Sequence, residues 1–271
     1  MTFQLAIICL FLALGAEADR LQFSATSSDT YGLLSRALGG IPYETPDCSC
    51  CPHRSFGRHI KQEYDPDARS NVFAFYLHVE PDRDRCNDDD SRQRNEIKVH
   101  AQTDRRWWGT EGSTHEYSWA MKLGGDFKTT SHFCHVHQLK AYGGSNADSP
   151  LITITPRGSS MTVIHSSCND CEYEEIKSTS LHSFRGQWVH FWERVTFTNS
   201  GNGRYELLAR RASDGHTLMT VDKSGLKMWR SGAEMIRPKW GLYRSLKDKN
   251  ELNDERVLFN AFCISDDGGT C

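Results

Sequence analysis

The chain has 271 residues, of which 38% are hydrophobic, 11% aromatic and 25% charged. This composition supplies enough apolar side chains for a packed core and is too balanced for a disordered chain or a coiled coil. The formal net charge of −3 excludes a protein that binds nucleic acid through a general excess of positive charge. The length suits one domain of the all-β or α/β class.

The first 18 residues are predicted to be a secretory signal peptide. An apolar run from Leu5 to Leu14 precedes the sequence Ala16-Glu17-Ala18, which suits cleavage after a small residue. The run is shorter than the roughly 20 apolar residues that a membrane helix needs, and no later stretch approaches that length. We therefore expect a secreted, extracellular monomer with no membrane span and no nucleic-acid partner.

Cysteine usage indicates disulfide bonds. Nine of the ten cysteines follow the predicted signal peptide. In an oxidising compartment they are expected to pair, and because nine is odd, at least one thiol stays free or pairs with another chain. Zinc is the alternative for CSCC at 48–51 and CNDC at 168–171, but neither motif is followed by the second ligand pair of a closed tetrahedral site.

The texture of the sequence changes near Asn71. Residues 19–66 contain a cysteine cluster, many small and turn-forming residues and no sustained periodicity, so they are predicted to be an extension held by disulfides. Residues 67–271 are predicted to form one domain from short β-branched or aromatic strands separated by turns. The clearest strands are NVFAFYLHV (71–79), NEIKVHA (95–101), FCHVHQLKA (133–141), LITITP (151–156), MTVIHS (161–166), WVHFWERVTFT (188–198), GRYELLARR (203–211) and VLFNAFCI (257–264).

Repeated short strands of this kind predict two antiparallel sheets packed face to face. Such a sandwich can curve, and its concave outer face would hold an extended polymer. The charged run DRDRCNDDD at 82–90 would either bind calcium through its oxygens or form a solvated turn. The turn is favoured because the order of oxygen ligands matches no calcium loop.

The segment RQRNEIK at 92–98 is predicted to be a strand with charged side chains on one face. Strand alternation places Arg94, Glu96 and Lys98 together on that face. Two cations beside one carboxylate would hold each other and an acidic substrate, because the Arg guanidinium matches the geometry of a carboxylate. A solvated ladder of salt bridges is the alternative.

The segment KWGLY places Lys239, Gly241 and Tyr243 on one strand face. A glycine between a cation and a phenol would leave room for a ligand to lie against the backbone. Tyr243 is a candidate for proton transfer, since cations such as Lys239 or Arg244 would favour its phenolate form. An ordinary edge strand is the alternative.

The segment FCHVHQLK places His135 and His137 on one predicted strand face. An imidazole that titrates near neutrality is the usual general base, although the same pair would also supply two ligands of a metal site. Gln138 and Lys140 fall on the opposite face unless a bulge intervenes. His78, at the end of an earlier strand, is a further candidate.

Taken together, these segments resemble the β-jelly-roll polysaccharide lyases, the group that includes alginate, glucuronan and heparin I-type lyases. RNEIK is similar to that group's R-x-E-[LI]-[RK] strand, HVH or HQLK to its Q-x-H strand, and KWGLY to its Lys-x3-Tyr spacing. RPKWGLYRSL (237–246) and WVHFWERVTF (188–197) are similar in texture, so the resemblance covers about residues 70–265. It implies a curved, antiparallel, all-β sandwich of the jelly-roll, concanavalin-like type. The Q-x-H position is ambiguous between the two alignments.

The resemblance also implies β-elimination on a uronic-acid polymer. An Arg would neutralise the substrate carboxylate, a base would remove the C5 proton and an acid would protonate the leaving oxygen. It implies catalytic roles for Arg94 in charge neutralisation, for Tyr243 in proton transfer and for His137 as the base or its partner. It also implies substrate positioning by Lys239 with Gln138. The strand-face arguments add further predicted substrate-binding residues, which are His135, Glu96, Lys98, Arg244 and His78. The partner is an acidic polysaccharide, and the scheme needs no metal or other cofactor.

Two other functions fit the same architecture. A glycoside hydrolase would need two carboxylates on one strand face, and neither CEYEE at 171–175 nor ELNDE at 251–255 has that arrangement. A non-catalytic sugar-binding module is the stronger alternative, because Trp107, Trp108 or Trp229 would stack on sugars if exposed. Packing in the core or at a sheet edge is the other role open to these tryptophans.

Overall fold

The computed structural model describes residues 20–271 except 48, 86, 88 and 268. The signal peptide predicted over 1–18 lies outside the described residues. Within them the strands and the α-helix are β1 (Arg20–Phe23), α1 (Thr30–Leu38), β2 (Tyr43–Glu44), β3 (Ile60–Asp65), β4 (Ser70–Leu77), β5 (Arg92–Lys98), β6 (Thr114–Lys122), β7 (Cys134–Tyr142), β8 (Ile152–Arg157), β9 (Ser160–His165), β10 (Glu174–Ser180), β11 (Trp188–Thr196), β12 (Gly203–Arg211), β13 (Thr217–Leu226), β14 (Met235–Ser245) and β15 (Glu255–Ser265). Short 3-10 helices cover Arg54–Phe56, Arg105–Trp107, Leu181–Phe184 and Lys249–Glu251.

The strands form two antiparallel sheets. The first has the order β13-β12-β11-β6-β15-β4-β3, with β1 also paired to β15. The second has the order β10-β9-β8-β7-β14-β5-β2. The predicted all-β sandwich is therefore confirmed, and each of the eight clearest predicted strands is present within a few residues of its predicted ends.

Part of the predicted N-terminal extension joins this sandwich. β1 pairs with β15 and β3 with β4 in the first sheet, whereas β2 pairs with β5 in the second. The helix α1 begins after Asp29, whose carboxylate accepts the Gly32 N–H at 2.9 Å. It buries Leu34 and Leu38 against the sheets, and its nine residues give too few apolar repeats to be predicted. The domain boundary after residue 66 stays a prediction.

Aromatic side chains fill the space between the sheets. Trp119 from the first sheet stacks on Phe191 at 5.2 Å and meets Trp240 from the second sheet at 6.0 Å, measured between ring centroids. The three tryptophans considered for sugar stacking, Trp107, Trp108 and Trp229, are all buried and are therefore not available to a ligand. Among the described residues, no helix has the length and apolar character needed to cross a membrane.

The predicted disulfides are present. Cys168 pairs with Cys171 and Cys263 with Cys271, at Cα separations of 5.1 and 5.8 Å. The CNDC motif is therefore cross-linked and does not supply two free thiolates to a metal. Among the described cysteines, Cys134 is free, and it is buried.

Glu255 at the start of β15 gives the first testable prediction. Burial raises its pKa to about 7, although the Lys128 N–H donates to Oε1 at 2.9 Å and favours the charged form. Since the folded state holds this proton more tightly than the unfolded state, the free energy of unfolding falls as the pH rises from about 4.3 to 7. Glu255→Gln keeps the acceptor and removes the charge, so its thermal midpoint should exceed that of the wild type above pH 7 and equal it below pH 4. Exposed Glu251→Gln is the control, and equal midpoints of Glu255→Gln and wild type at high pH would contradict the prediction.

Candidate active site

The three motifs singled out in the sequence lie side by side on the outer face of the second sheet. In the middle strand β14, Tyr243 is opposite Arg94 of β5 on one side and His135 of β7 on the other. Lys239 is likewise opposite Lys98 and Gln138. We call this surface the site face. Because neighbouring strands bring residues from distant parts of the chain to within side-chain contact, one polar cluster forms from all three segments.

The site face is rich in cations. Those carried by β5, β7 and β14 are Arg92, Arg94, Lys98, Lys140, Arg237 and Lys239. Burying this charge without counter-ions would be costly, and three carboxylates compensate it. They come from Glu96 on β5, Glu44 on β2 and Asp84 in the loop before β5.

Arg94 lies beneath Tyr243, with its guanidinium carbon 3.7 Å from the centre of the phenol ring. Its Nε and Nη2 contact the two oxygens of Asp84 at 3.0 and 3.1 Å, and its Nη1 contacts Glu44 at 2.9 Å and Glu96 at 3.1 Å. Each nitrogen of Arg94 therefore already faces a carboxylate of the protein. This geometry suits a residue that supports the Tyr243 ring better than one that binds a substrate carboxylate.

Lys239 is also held by protein carboxylates. Its Nζ lies 2.6 Å from Glu44 and 2.7 Å from Glu96, and only 1% of the residue is exposed. Gln138 donates its amide to Glu96, and Lys98 contacts Glu44 at 2.6 Å. Burial raises the pKa of Glu44, but the neighbouring Lys239, Arg94 and Lys98 outweigh it and hold the pKa well below its usual range. These residues form a connected ionic floor below the accessible surface.

Tyr243 and His135 rise from this floor and are partly exposed. Their ring centroids are 5.9 Å apart, and Phe133 packs against both. The Tyr243 hydroxyl accepts a hydrogen bond from Arg92 Nη1 at 3.2 Å, and the Arg92 side chain is 42% exposed. A phenol and an imidazole are thus adjacent, with an accessible cation beside the phenol oxygen.

Hydrogen bonds fix the orientation of His135. Its Nδ1 lies 2.7 Å from the Thr155 hydroxyl, which in turn donates to Thr153 at 3.0 Å. Because the Thr155 proton is used in that bond, Nδ1 carries the imidazole proton and Nε2 keeps its lone pair. Burial lowers the pKa of His135 to about 3, and the cations Arg94 and Lys140 add to this. His135 is therefore neutral near pH 7, with the lone pair of Nε2 unprotonated.

His137 does not share this face, so its predicted placement is wrong. It is completely buried between the sheets, 4.5 Å from the Trp119 ring, with Nε2 2.8 Å from Glu193 Oε1 of β11. Strand alternation is broken between His135 and Gln138, because β14 has an extra residue between Trp240 and its Tyr243 pairing. The bulge that the sequence left open brings Gln138 to the site face and turns His137 into the core.

Two further candidates also lie elsewhere. Arg244 is buried on the opposite face of β14, where Nε contacts Gln93 at 2.7 Å and Nη2 contacts the Asn253 carbonyl at 2.9 Å. It is therefore not the cation beside Tyr243. His78 follows β4 of the first sheet and contacts Asp82 at 2.9 Å, in a separate cluster. The charged run 82–90 is not a solvated turn throughout, since its Asp82 is buried.

Gly241 has a different role from the expected one. Its φ is +145°, and a Cβ atom there would lie 2.1 Å from the Asn95 carbonyl oxygen of β5. The missing side chain therefore permits the close approach of β5 at the bulge and does not open space for a ligand.

A cavity of about 220 Å³ adjoins His135 over β8 and β9. It is lined by Phe133, His135, Ser149, Pro150, Thr153, Thr155, Arg157, Ile164, Ser166, Asn169, Cys171 and Tyr173. The Arg157 guanidinium contacts the exposed Tyr173 hydroxyl at 3.1 Å. Hydroxyls, a cation and an exposed ring suit a sugar with a negative charge.

Five contributors to the site face were missed by the sequence reasoning, namely Glu44, Asp84, Arg92, Lys140 and Arg237. Glu44 and Asp84 lie in segments predicted to be an extension and a solvated turn, so their sequence context gave no signal. Arg92 lies two residues before Arg94 in β5 and therefore on the same strand face, so strand alternation alone would have identified it. Lys140 was set on the wrong face because the bulge was unknown.

Lys140 gives a prediction for the pH dependence of substrate binding. Burial, reinforced by Lys239 and Arg94, lowers its pKa to about 8. If its positive charge holds an acidic substrate, KM should rise as the pH exceeds 8, by up to about tenfold one pH unit higher. Lys140→Arg keeps its charge and should remove this rise. Equal KM profiles of the wild type and the variant, measured by initial rates, would contradict the assignment.

A family model described as polysaccharide lyase matches residues 57–260. Among solved structures, an endo-β-1,4-glucuronan lyase from the fungus Trichoderma reesei is 12% identical, covering 82% of this chain and 94% of that chain with a TM-score of 0.55. A marine PL-14 alginate lyase from Aplysia kurodai is 12% identical, covering 90% and 97% with a TM-score of 0.56. At this identity the likeness concerns the fold. No curated protein matches the chain significantly.

Proposed function

Because the chain belongs to the polysaccharide lyase family, we propose that it is a secreted enzyme that cleaves a uronic-acid-containing polymer by β-elimination on the site face. The cations of this face support an acidic polymer as the substrate, since they would attract and orient its carboxylates. The disulfides Cys168–Cys171 and Cys263–Cys271 support an oxidising, extracellular location. The solved structures with a similar fold include a glucuronan lyase and an alginate lyase, and both of these polymers are acidic.

The proposed reaction uses two side chains for proton transfer. His135 Nε2 removes the C5 proton of the uronate, the C4–O bond breaks, and the electron pair forms a C4=C5 double bond. The Tyr243 hydroxyl gives its proton to the leaving glycosidic oxygen. Asp89 holds Nε and Nη2 of Arg92, but 42% of this side chain is exposed and its Nη1 lies beside that hydroxyl. We therefore assign Arg92, with Lys140, to neutralise the substrate carboxylate that acidifies the C5 proton.

The other predicted residues take positioning roles in this scheme. Arg94 supports the Tyr243 ring and is itself held by three carboxylates. Lys239, Gln138, Glu96 and Lys98 maintain the ionic floor. The scheme needs no metal or other cofactor.

The adjacency of Tyr243 and His135 above the ionic floor, with His135 Nδ1 held by Thr155, is the observation that carries the proposal. It is tested by incubating the protein with glucuronan, alginate, heparin-type and pectic polymers while recording ultraviolet absorbance. Elimination creates a double bond conjugated to the carboxylate, so we expect absorbance to rise with at least one polymer. The same polymer after chemical reduction of its carboxylates should not react. New reducing ends without absorbance would indicate hydrolysis and would contradict the proposal.

A further inference from the structure

Three histidines and one aspartate converge where β3 begins and β4 ends, outside the site face. They are His53, His59, His78 and Asp82, which we call the histidine cluster. One nitrogen or oxygen atom from each lies within 4.8 Å of all the others. A tetrahedral zinc site with bonds of about 2.0–2.1 Å places its ligand atoms about 3.3 Å apart. The cluster is therefore already near the size of a metal site.

Individual contacts centre on Asp82. Its Oδ1 lies 2.8 Å from His53 Nδ1 and 3.1 Å from His59 Nε2, and its Oδ2 lies 2.9 Å from His78 Nδ1. His59 Nε2 is buried and makes no hydrogen bond within the described part of the chain, despite its closeness to Asp82. A buried nitrogen without a hydrogen bond is costly, and a metal ion would use its lone pair.

The surroundings of His59 have the arrangement typical of a metal ligand. Its Nδ1 lies 2.6 Å from Asp47 Oδ1, so a proton on this nitrogen would leave Nε2 as the electron donor to a metal ion. Asp47 also accepts the His59 backbone N–H at 3.0 Å and the Tyr31 hydroxyl, which fixes the carboxylate. A carboxylate that orients a histidine in this way is a common outer partner at zinc sites.

Access and shielding are also suitable. The Phe56 ring lies 5.4, 4.8 and 4.4 Å from the rings of His53, His59 and His78, and so covers one side of the cluster. The side chains of His53 and His78 are 19% and 18% exposed, which leaves a path for an ion from solvent.

We propose that the histidine cluster binds one structural zinc ion through His53, His59, His78 and Asp82. Three imidazoles and one carboxylate make a four-coordinate ligand set. Such a set binds zinc in preference to calcium or magnesium, which take mainly oxygen ligands. All four positions come from the protein, so the ion would be closed to substrate and would not enter the elimination chemistry. Zinc binding by this cluster does not depend on whether the protein catalyses the proposed elimination.

The position of the histidine cluster indicates which parts of the chain the zinc ion would link. His53 and His59 belong to the segment predicted as an extension, and His59 directly precedes β3. His78 directly follows β4, which pairs with β3. Asp82 begins the loop that carries Asp84 to Arg94, and its carbonyl accepts the Gln93 amide at 3.1 Å. Zinc would therefore fasten the N-terminal segment and this loop to the sandwich.

The test uses the full chain, secreted from a eukaryotic host without a polyhistidine tag and purified without chelator. Mass spectrometry of the metals should find about one zinc per chain. Removal by dipicolinate should lower the thermal midpoint, and Zn²⁺ but not Mg²⁺ should restore it. Loading with Co²⁺ should give the intense visible absorption of a tetrahedral site.

Matched histidine variants locate the ion. His53→Ala should weaken zinc affinity at least about tenfold, whereas His132→Ala, which removes the histidine paired with Asp248 at the surface, should leave it unchanged. Less than about a tenth of an equivalent of zinc, with no response of the midpoint to dipicolinate or Zn²⁺, would overturn the proposal. Unaltered affinity in His53→Ala would also overturn it.

Discussion

Replacing Tyr243 with phenylalanine is expected to lower kcat by about 10²–10⁴ while leaving polymer binding nearly unchanged. The variant keeps the ring that stacks on Arg94 at 3.7 Å and removes only the hydroxyl that would protonate the leaving oxygen. Turnover is measured by ultraviolet absorbance on the polymer that the wild type cleaves. Binding of the same polymer is measured separately by affinity electrophoresis.

Tyr64→Phe is the matched control, because Tyr64 is 67% exposed on β3 of the other sheet. It should match the wild type in both kcat and binding. A Tyr243→Phe enzyme with wild-type turnover would remove Tyr243 from the proton-transfer scheme. If Tyr243→Phe instead lost polymer binding and turnover to the same extent, Tyr243 would be a binding residue with no role in proton transfer.

The second large effect is expected from His135, and His137 supplies its comparison. His135→Gln should lower kcat by about 10²–10⁴ with little change in the thermal midpoint, since the variant loses the proton acceptor at Nε2 on a partly exposed side chain. His137→Gln should lower the free energy of unfolding by about 1–3 kcal/mol, because Glu193 loses a close partner in the core. Its kcat should remain within a few-fold of the wild type at temperatures where it is folded.

Both variants are measured by thermal unfolding and by initial rates on one polymer. A His137→Gln enzyme that is fully stable but inactive would reverse the two assignments. A His135→Gln enzyme with wild-type kcat would require another base. The two variants together therefore test which histidine lies on the site face. Strand alternation had wrongly predicted that both do.

The ionic floor explains why some predicted binding residues are not accessible. Lys239 and Arg94 are buried, and buried cations in proteins are stable only when paired with carboxylates and fully hydrogen-bonded. Glu44, Glu96 and Asp84 supply those pairs. In the proposed reaction, substrate recognition is therefore assigned to cations nearer the surface, Arg92 and Lys140 among them.

The sequence by itself determined the fold class and the three strands of the site. Alternating, β-branched segments between turns were sufficient for the sandwich, because period-two burial is a local property. The spacing within KWGLY correctly placed Tyr243 and Lys239 on one face, and RNEIK placed Arg94, Glu96 and Lys98 on another strand of the same face.

Only the tertiary structure decided which histidine faces outward and what surrounds the cations. An offset of one residue between β14 and β7 exchanges the faces of the β7 side chains from His137 onward, and it occurs beside Gly241, which packs closely against β5. Glu44 and Asp84 reach the floor from segments whose sequences show no periodic pattern. Contacts of this kind arise from chain topology over long sequence separations, so no local motif reports them.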